Sequence, residues 1–446
     1  MASRINNLRE LYPTTRFFVA GGIPVVFMLA GFFIPALLVA GQALLAIYLM
    51  LVIAEIYLLT FTGRIPTGTR IVPERMSNGD ENPVRVNIRN RYPFVARCIL
   101  VDELPEQFQE RTFRMVKYIK PFQETRFRYT LRPTERGAYL FGDILAFMQT
   151  RLGLLSMRHR IEAETEVHVF PSFMHLRSQS LVSPLTIAGS GNTRVRKIGQ
   201  SMEFEQIKEY ALGDDIRTLN WKATARRGGL MVNSFMDERS QQLICVVDKG
   251  RLMKMPFDGL SLLDHSINSV LALANLGLKK QDKVGLFTFS NKAGTMVPPD
   301  RQMIQRQKIM QALYREETGF LESDFEMLYL QLRQRVKQRS LVMLFTNFES
   351  VSGLQRQIPY LRSISRHHLL LVVCFENAEL QKLSMATVKQ VDDVYVKAIA
   401  EQISFEKRQI VKELGRYGIR TILTTPAELT TDVLNKYLQV KSLQIL

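Results

Sequence analysis

From Phe17 to Phe61 the chain carries no Lys or Arg, and Glu55 is the only charged residue. That is 45 residues, roughly twice the ~20 that one membrane-crossing helix needs. Two apolar helices are therefore predicted, over about 17–34 and 37–60, forming a transmembrane α-hairpin. Gly31-Phe32-Phe33-Ile34-Pro35 lies between them, and proline is tolerated in a tight turn or in the first turn of a helix. Arg4, Arg9 and Arg16 precede the first span, Arg64, Arg70 and Arg75 follow the second, and the turn has no cation. The positive-inside bias then places both ends of the hairpin in the cytoplasm of a bacterial inner membrane. A cleaved signal peptide is the competing reading, with Val39-Ala40-Gly41 as its small-residue site. The apolar stretch runs well beyond the length of a signal's hydrophobic region, which favours the hairpin. Glu55 sits near the cytoplasmic end of the second span, where a carboxylate reaches the interface.

A chain of 446 residues exceeds what one core supports, so two or three domains are expected. Hydrophobic content of 46% with 23% charged residues excludes a disordered chain. The formal net charge of +17 suits anionic partners such as lipid headgroups, although solubility and membrane topology account for it equally well. Cys98, Cys245 and Cys374 are odd in number and far apart, and two lie inside apolar runs. They read as buried free thiols, neither a disulfide framework nor a zinc site.

After the hairpin (1–63) the period changes to two. Val84-Arg85-Val86-Asn87-Ile88-Arg89 and Arg126-Phe127-Arg128-Tyr129-Thr130-Leu131 alternate apolar residues with polar ones, mostly arginine, as half-buried antiparallel strands do. Turn dipeptides punctuate the stretch, so a β-sandwich module of immunoglobulin-like style is expected over 64–170. Residues 171–240 read as a linker containing a polar segment. Its basic cluster Arg194-Val195-Arg196-Lys197 lacks interleaved aromatics, and no nucleic-acid partner is expected. From 241 to 446 apolar strands (Leu243 to Asp248, Val284 to Phe289, Leu341 to Phe345, Leu369 to Val373, Ile419 to Leu423) alternate with helical patterns. The expectation is a doubly wound α/β domain, with its last helix starting at Thr425-Pro426-Ala427-Glu428.

The polar segment holds the chain's only tryptophan. It reads Glu209-Tyr210-Ala211-Leu212-Gly213-Asp214-Asp215-Ile216-Arg217-Thr218-Leu219-Asn220-Trp221-Lys222, followed by Ala225-Arg226-Arg227. The pattern Glu-Tyr-x-x-Gly-Asp-Asp-x-Arg-x-x-Asn-Trp-Lys-x-x-Ala-Arg closely resembles the signature of the bacterial "domain of unknown function 58" family. The resemblance implies a membrane hairpin, a β-rich insert, this signature and a C-terminal domain similar to the von Willebrand factor type A fold. It also implies a MoxR-type AAA+ ATPase as partner, with unknown client proteins, in chaperone-like assembly work.

A type A domain holds Mg²⁺ through an Asp-x-Ser-x-Ser loop, a Thr from a second loop and an Asp from a third. Here the first loop reads Asp248-Lys249-Gly250-Arg251-Leu252, so both serine positions are lost, to Gly250 and Leu252. The third position reads Thr346-Asn347, with an amide where an acid is preferred, and Thr318 is a weak candidate for the second. One carboxylate flanked by two cations suits a hard divalent ion poorly. A degenerate site is expected, with no cofactor and with Asp248 paired to Lys249 or Arg251.

Enzyme motifs fare no better. The chain has no Gly-x-x-x-x-Gly-Lys phosphate loop, no Gly-x-Ser-x-Gly elbow and no histidine pair at metal-ligand spacing; His367-His368 is adjacent, directing the rings apart. Asp214-Asp215 is the one acidic pair that tempts, but Arg217, Lys222, Arg226 and Arg227 provide countercharge nearby. Glu209, Asp214, Asp215, Arg217 and Trp221 are instead expected to form a structural brace or a partner-binding surface, with Trp221 burying area and Arg217 pairing with a carboxylate. The function expected is a membrane-anchored, non-enzymatic adaptor. A membrane-tethered hydrolase or transglutaminase-like accessory is the alternative.

Overall fold

The structure is a computed structural model, describing residues 9–61, 65–110, 113–172, 202–211, 216–237, 241–385 and 391–443. It divides into two compact units, Met1–Met174 and His175–Leu446.

The first unit opens with a short strand, β1 (Leu11–Pro13), and two apolar helices, α1 (Thr15–Ala30) and α2 (Pro35–Thr60). The 16 residues of α1 span only about 24 Å at 1.5 Å per residue, and the helix stops four residues before the expected end. Ile34 precedes a proline, which disfavours helical backbone, and it is extended at φ −131, ψ 106. Among the described residues α2 alone is long and apolar enough to cross a membrane. The helices approach closely at Gly41, where a Cβ would lie 2.8 Å from Met28 Cγ.

Ten strands follow: β2 (Thr67–Ile71), β3 (Arg75–Ser77), β4 (Asn82–Arg89), β5 (Ala96–Asp102), β6 (Arg114–Ile119), β7 (Glu124–Leu131), β8 (Gly137–Phe141), β9 (Ile144–Gln149), β10 (Leu155–Ile161) and β11 (Thr165–Phe170). They form sheets ordered β1-β10-β9-β5-β6, β2-β4-β7 and β3-β11-β8. The period-two reading holds in β4 and β7, where Val84, Val86, Ile88 and Phe127 are buried and Arg85, Arg89, Arg126 and Arg128 exposed. Val86, Ile88 and Phe127 pack with Cys98, Leu100, Ala146 and Met148, so the β4/β7 sheet and the five-stranded sheet share one core. Arg70 is no free basic flank of the hairpin. Its guanidinium is buried against Asp102 and donates to the carbonyls of Gly142 (2.9 Å) and Ala163 (2.8 Å).

The hairpin and the β-module are one body. β1 adds an antiparallel edge to β10, pairing Leu11 with Met157. Glu55, 1% exposed, accepts bonds from the backbone N–H of Leu154 (3.1 Å) and Leu155 (3.2 Å) and from the Thr150 hydroxyl. One turn on, the Tyr92 hydroxyl reaches the Leu59 carbonyl (3.2 Å) and His159 Nε2 (2.8 Å). The carboxylate expected at the interface is therefore a buried clasp.

The second unit begins with a two-stranded ribbon, β12 (Met202–Glu209) and β13 (Met231–Asp237), with the short helix α3 (Trp221–Arg227) between its strands. This ribbon occupies part of the span expected to be linker. Then come β14 (Gln242–Asp248), the small hairpin β15 (Pro256–Phe257) and β16 (Leu260–Ser261), α4 (Leu262–Lys279), β17 (Lys283–Phe289), β18 (Ala293–Asp300), α5 (Gln305–Tyr314), α6 (Phe325–Arg335), β19 (Leu341–Phe345), α7 (Val351–His367), β20 (Leu369–Phe375), α8 (Ala378–Met385), α9 (Val391–Arg416), β21 (Arg420–Thr424) and α10 (Leu429–Ser442). The sheet runs β18-β17-β14-β19-β20-β21, parallel except for the antiparallel edge β18. Alternate residues of β14 enter opposite cores, Cys245 and Val247 on one face, Ile244 and Val246 on the other. A strand buried on both faces needs the unbroken apolar run seen in the sequence. α4 starts at a capping box in which Ser261 and Asp264 bond reciprocally. The last helix starts at Leu429, not at Thr425, and Glu428 N–H bonds the Thr425 carbonyl (3.1 Å) in the turn before it.

Candidate functional site

Asp248 ends β14, and the chain order reverses between β14 and β19, which carries the crossover to the opposite side. The carboxyl ends of strands at such a point are where an open α/β sheet forms its crevice. Asp248 is 3% exposed. Its Oδ1 accepts from Gly250 N–H (2.8 Å) and from the Ser323 hydroxyl, and its Oδ2 from the Thr346 hydroxyl (2.6 Å). Burial pushes its pKa above the usual carboxylate range, and the three hydrogen bonds oppose this without overcoming it.

The expected pairing of Asp248 with a neighbouring cation is not what forms. Lys249 reaches Glu316 instead (2.6 Å), and Glu316 Oε1 also accepts from Thr288 (2.9 Å). Burial raises the Glu316 pKa, but Lys249 and the threonines outweigh it and hold it below the usual range. Arg251 lies near exposed Glu322 at 3.9 Å. Asp248 is thus held by hydroxyls, because successive side chains on the loop diverge.

Gly250 has a definite part in this. A Cβ there would stand 2.1 Å from Ser323 Oγ, so the glycine at the first vacant serine position admits a serine from the loop between α5 and α6. Thr318, on the same loop, is not the residue that reaches Asp248. Ser323 was visible in the sequence only as the residue before the Asp324 cap of α6. Leu252 is half-buried and offers no ligand atom. Asn347, 6% exposed, accepts from the ammonium of Lys407 on α9 (2.6 Å), which also donates to the Phe348 carbonyl. Burial lowers the Lys407 pKa. A cavity of about 100 Å³ opens beside the group, with Arg251, Glu322, Glu349 and Arg356 at its walls. One carboxylate and two hydroxyls, each already bonded, make a hydrogen-bonded strand tip, with a lysine beside the amide where a metal site prefers an acid.

In the described part of the signature segment the hydrogen bonds are local. Asn220 caps α3 by accepting from Ala223 N–H (3.1 Å) and donates to Asn233 Oδ1 (2.8 Å), and Thr224 accepts from Met231 N–H (3.0 Å). These bonds close the ribbon on itself. Trp221 is 71% exposed, and Glu209, Lys222, Arg226 and Arg227 are exposed too. Among the described residues Trp221, expected to bury area, keeps most of its surface in solvent on the first turn of a helix only seven residues long. Asp214 and Asp215 lie outside the described residues, as does the Arg217 side chain.

The family model described as "Protein of unknown function DUF58" matches residues 206–408, from β12 into α9. The match covers less than half of the chain, and it supports the resemblance over that stretch. A curated relative, "Uncharacterized protein YeaD" of Bacillus subtilis (strain 168), is 24% identical over 177 residues, covering 38% of this chain and 44% of that protein. The chain thus spans less than half the length of this relative. Among solved structures, a CARDB domain from Pyrococcus furiosus is similar over 23% of this chain and 86% of its own, at 13% identity and TM-score 0.17. Proximal thread matrix protein 1 from the mussel byssus is similar over 44% of this chain and 46% of its own, at 12% identity and TM-score 0.27. TM-scores of this size leave the fold reading to the strand order itself.

Proposed function

We propose that this chain is a membrane-anchored, non-enzymatic adaptor or scaffold whose α/β domain, read as von Willebrand factor type A-like, binds protein partners. In this reading a MoxR-type AAA+ ATPase and its clients dock on the cytoplasmic side during complex assembly or envelope stress. The exposed signature segment is the observation that carries the reading. A tryptophan 71% exposed, beside Lys222, Arg226 and Arg227, is an aromatic and cationic patch of the kind that anchors protein interfaces. The sheet order with one antiparallel edge and an Asp at the tip of the central strand supports the type A reading. The two-pass topology is supported by β1 and Glu55, which tie both ends of the hairpin to one β-module and so to one side of a bilayer. The MoxR partnership rests on the family resemblance.

Crosslinked pulldown of the full chain from its native membranes tests this. A AAA+ ATPase should be recovered with the wild type, and Trp221→Ala should reduce its recovery about tenfold or more, as loss of an interface anchor does. Recovery of no ATPase, or equal recovery with Trp221→Ala, would sink the reading.

A further inference from the structure

A second cavity lies at the opposite end of the same sheet, where α6 and α7 finish and β19 and β20 begin. Its volume is about 350 Å³, within the range of small-ligand pockets. Leu332, Val336 and Ile364 are buried in its lining, and Arg333, Lys337 and Arg339 are exposed cations there. No carboxylate is among the described residues lining it. Arg333 donates to the Tyr329 hydroxyl (3.3 Å), and no acid pairs with Arg333, Lys337 or Arg339 among the described residues. Cations at helix C-termini are commonly explained by the helix dipole. Two helix ends bring together about one unit of negative charge, against three permanent positive charges here, so a surplus remains.

The independent observation is His368, which lines the same cavity. It is 5% exposed, yet its buried Nδ1 has no hydrogen-bond partner. This atom is closed to solvent, and a buried polar atom left unmatched costs about 1–3 kcal/mol, which a turn of the ring toward a ligand in the cavity would offset. Burial, with His367 beside it, lowers the His368 pKa and keeps the ring neutral.

We propose that this cavity binds a phosphate-bearing ligand with a small apolar body. The phosphate meets Arg333, Lys337 and Arg339, the apolar part covers Leu332, Val336 and Ile364, and His368 Nδ1 bonds a polar atom of the ligand. Such a phosphate comes either from a soluble ester or from the headgroup of a membrane lipid. Charge-assisted hydrogen bonds to the three cations favour it over a neutral ligand of the same size.

The test uses the full chain in detergent, titrated calorimetrically with phenyl phosphate and, separately, with dihexanoylphosphatidylglycerol. Saturable binding of phenyl phosphate is expected. Arg333→Ala, Lys337→Ala and Arg339→Ala should each weaken it about tenfold or more, while Arg408→Ala, a charge-matched change on α9, leaves it unaltered. His368→Phe should weaken binding with the melting transition retained. Binding of phenyl phosphate alone assigns the site to a soluble ester, and binding of both probes assigns it to a lipid headgroup. Absence of saturable binding by either probe overturns the proposal, as does equal weakening by Arg408→Ala and the rim variants.

Discussion

At the scale of single residues, Asp248 shows how neighbours in sequence mislead. Lys249 and Arg251 look like its partners, yet the side chains that hydrogen-bond to it are Ser323, 75 residues away, and Thr346, 98 away, beside the N–H of Gly250. Desolvation outweighs those bonds and raises its pKa. The sign of the effect on stability follows from linkage: a carboxyl that binds its proton more tightly when folded favours the folded state below the ordinary carboxylate range, and that gain is lost as pH rises through the raised pKa. Asp248→Asn keeps the shape and removes the ionisation. Its melting temperature relative to wild type should therefore climb as pH rises and fall back in acid. A difference in Tm that stays constant across that range would refute the ionisation argument. Gly250 belongs to the same lesson, since its lack of a Cβ matters only because a distant serine approaches.

At the scale of elements, strand and helix patterns were the most legible part of the chain. β4, β7, β14, β17, β19 and β20 lie where alternation or continuous apolar runs place them, because burial on one face or two imposes those periods. Legibility failed where pairing decides the element. β18 holds two prolines, which a sheet edge tolerates, and β1 is three residues made into a strand only by β10. The clasp at Glu55 is of this kind as well. Glu55→Ala leaves the Leu154 and Leu155 amides and the Thr150 hydroxyl without their buried acceptor, at roughly 1–3 kcal/mol for each unmatched group. The full chain in detergent should melt several degrees lower; an unchanged melting transition would mean that the carboxylate does not clasp the β-module to α2.

At the scale of the whole molecule, two units carry separate cores, and each buries its cysteines. Cys98, Cys245 and Cys374 are all buried and free, and burial pushes each thiol up to about 12. Reactive thiolate is then scarce at neutral pH. An aromatic disulfide reagent should titrate none of the three in the native chain and all three in denaturant, and fast native reaction of any one would show that its core opens. On α3 the bonds made by Asn220 and Thr224 are local, and Trp221, Lys222, Arg226 and Arg227 stand exposed.

The sequence by itself determined the apolar hairpin, the half-buried and fully buried strands and the signature segment, because each is written in residues close together along the chain. Tertiary structure alone decided that Glu55 is clasped, that Ser323 and Thr346 hold Asp248, and that Lys407 faces Asn347. It also decided that the basic residues after α6 border one cavity with His368. Those arrangements join residues tens of positions apart, and the distance between two side chains on different elements is set by packing, which local periodicity does not encode.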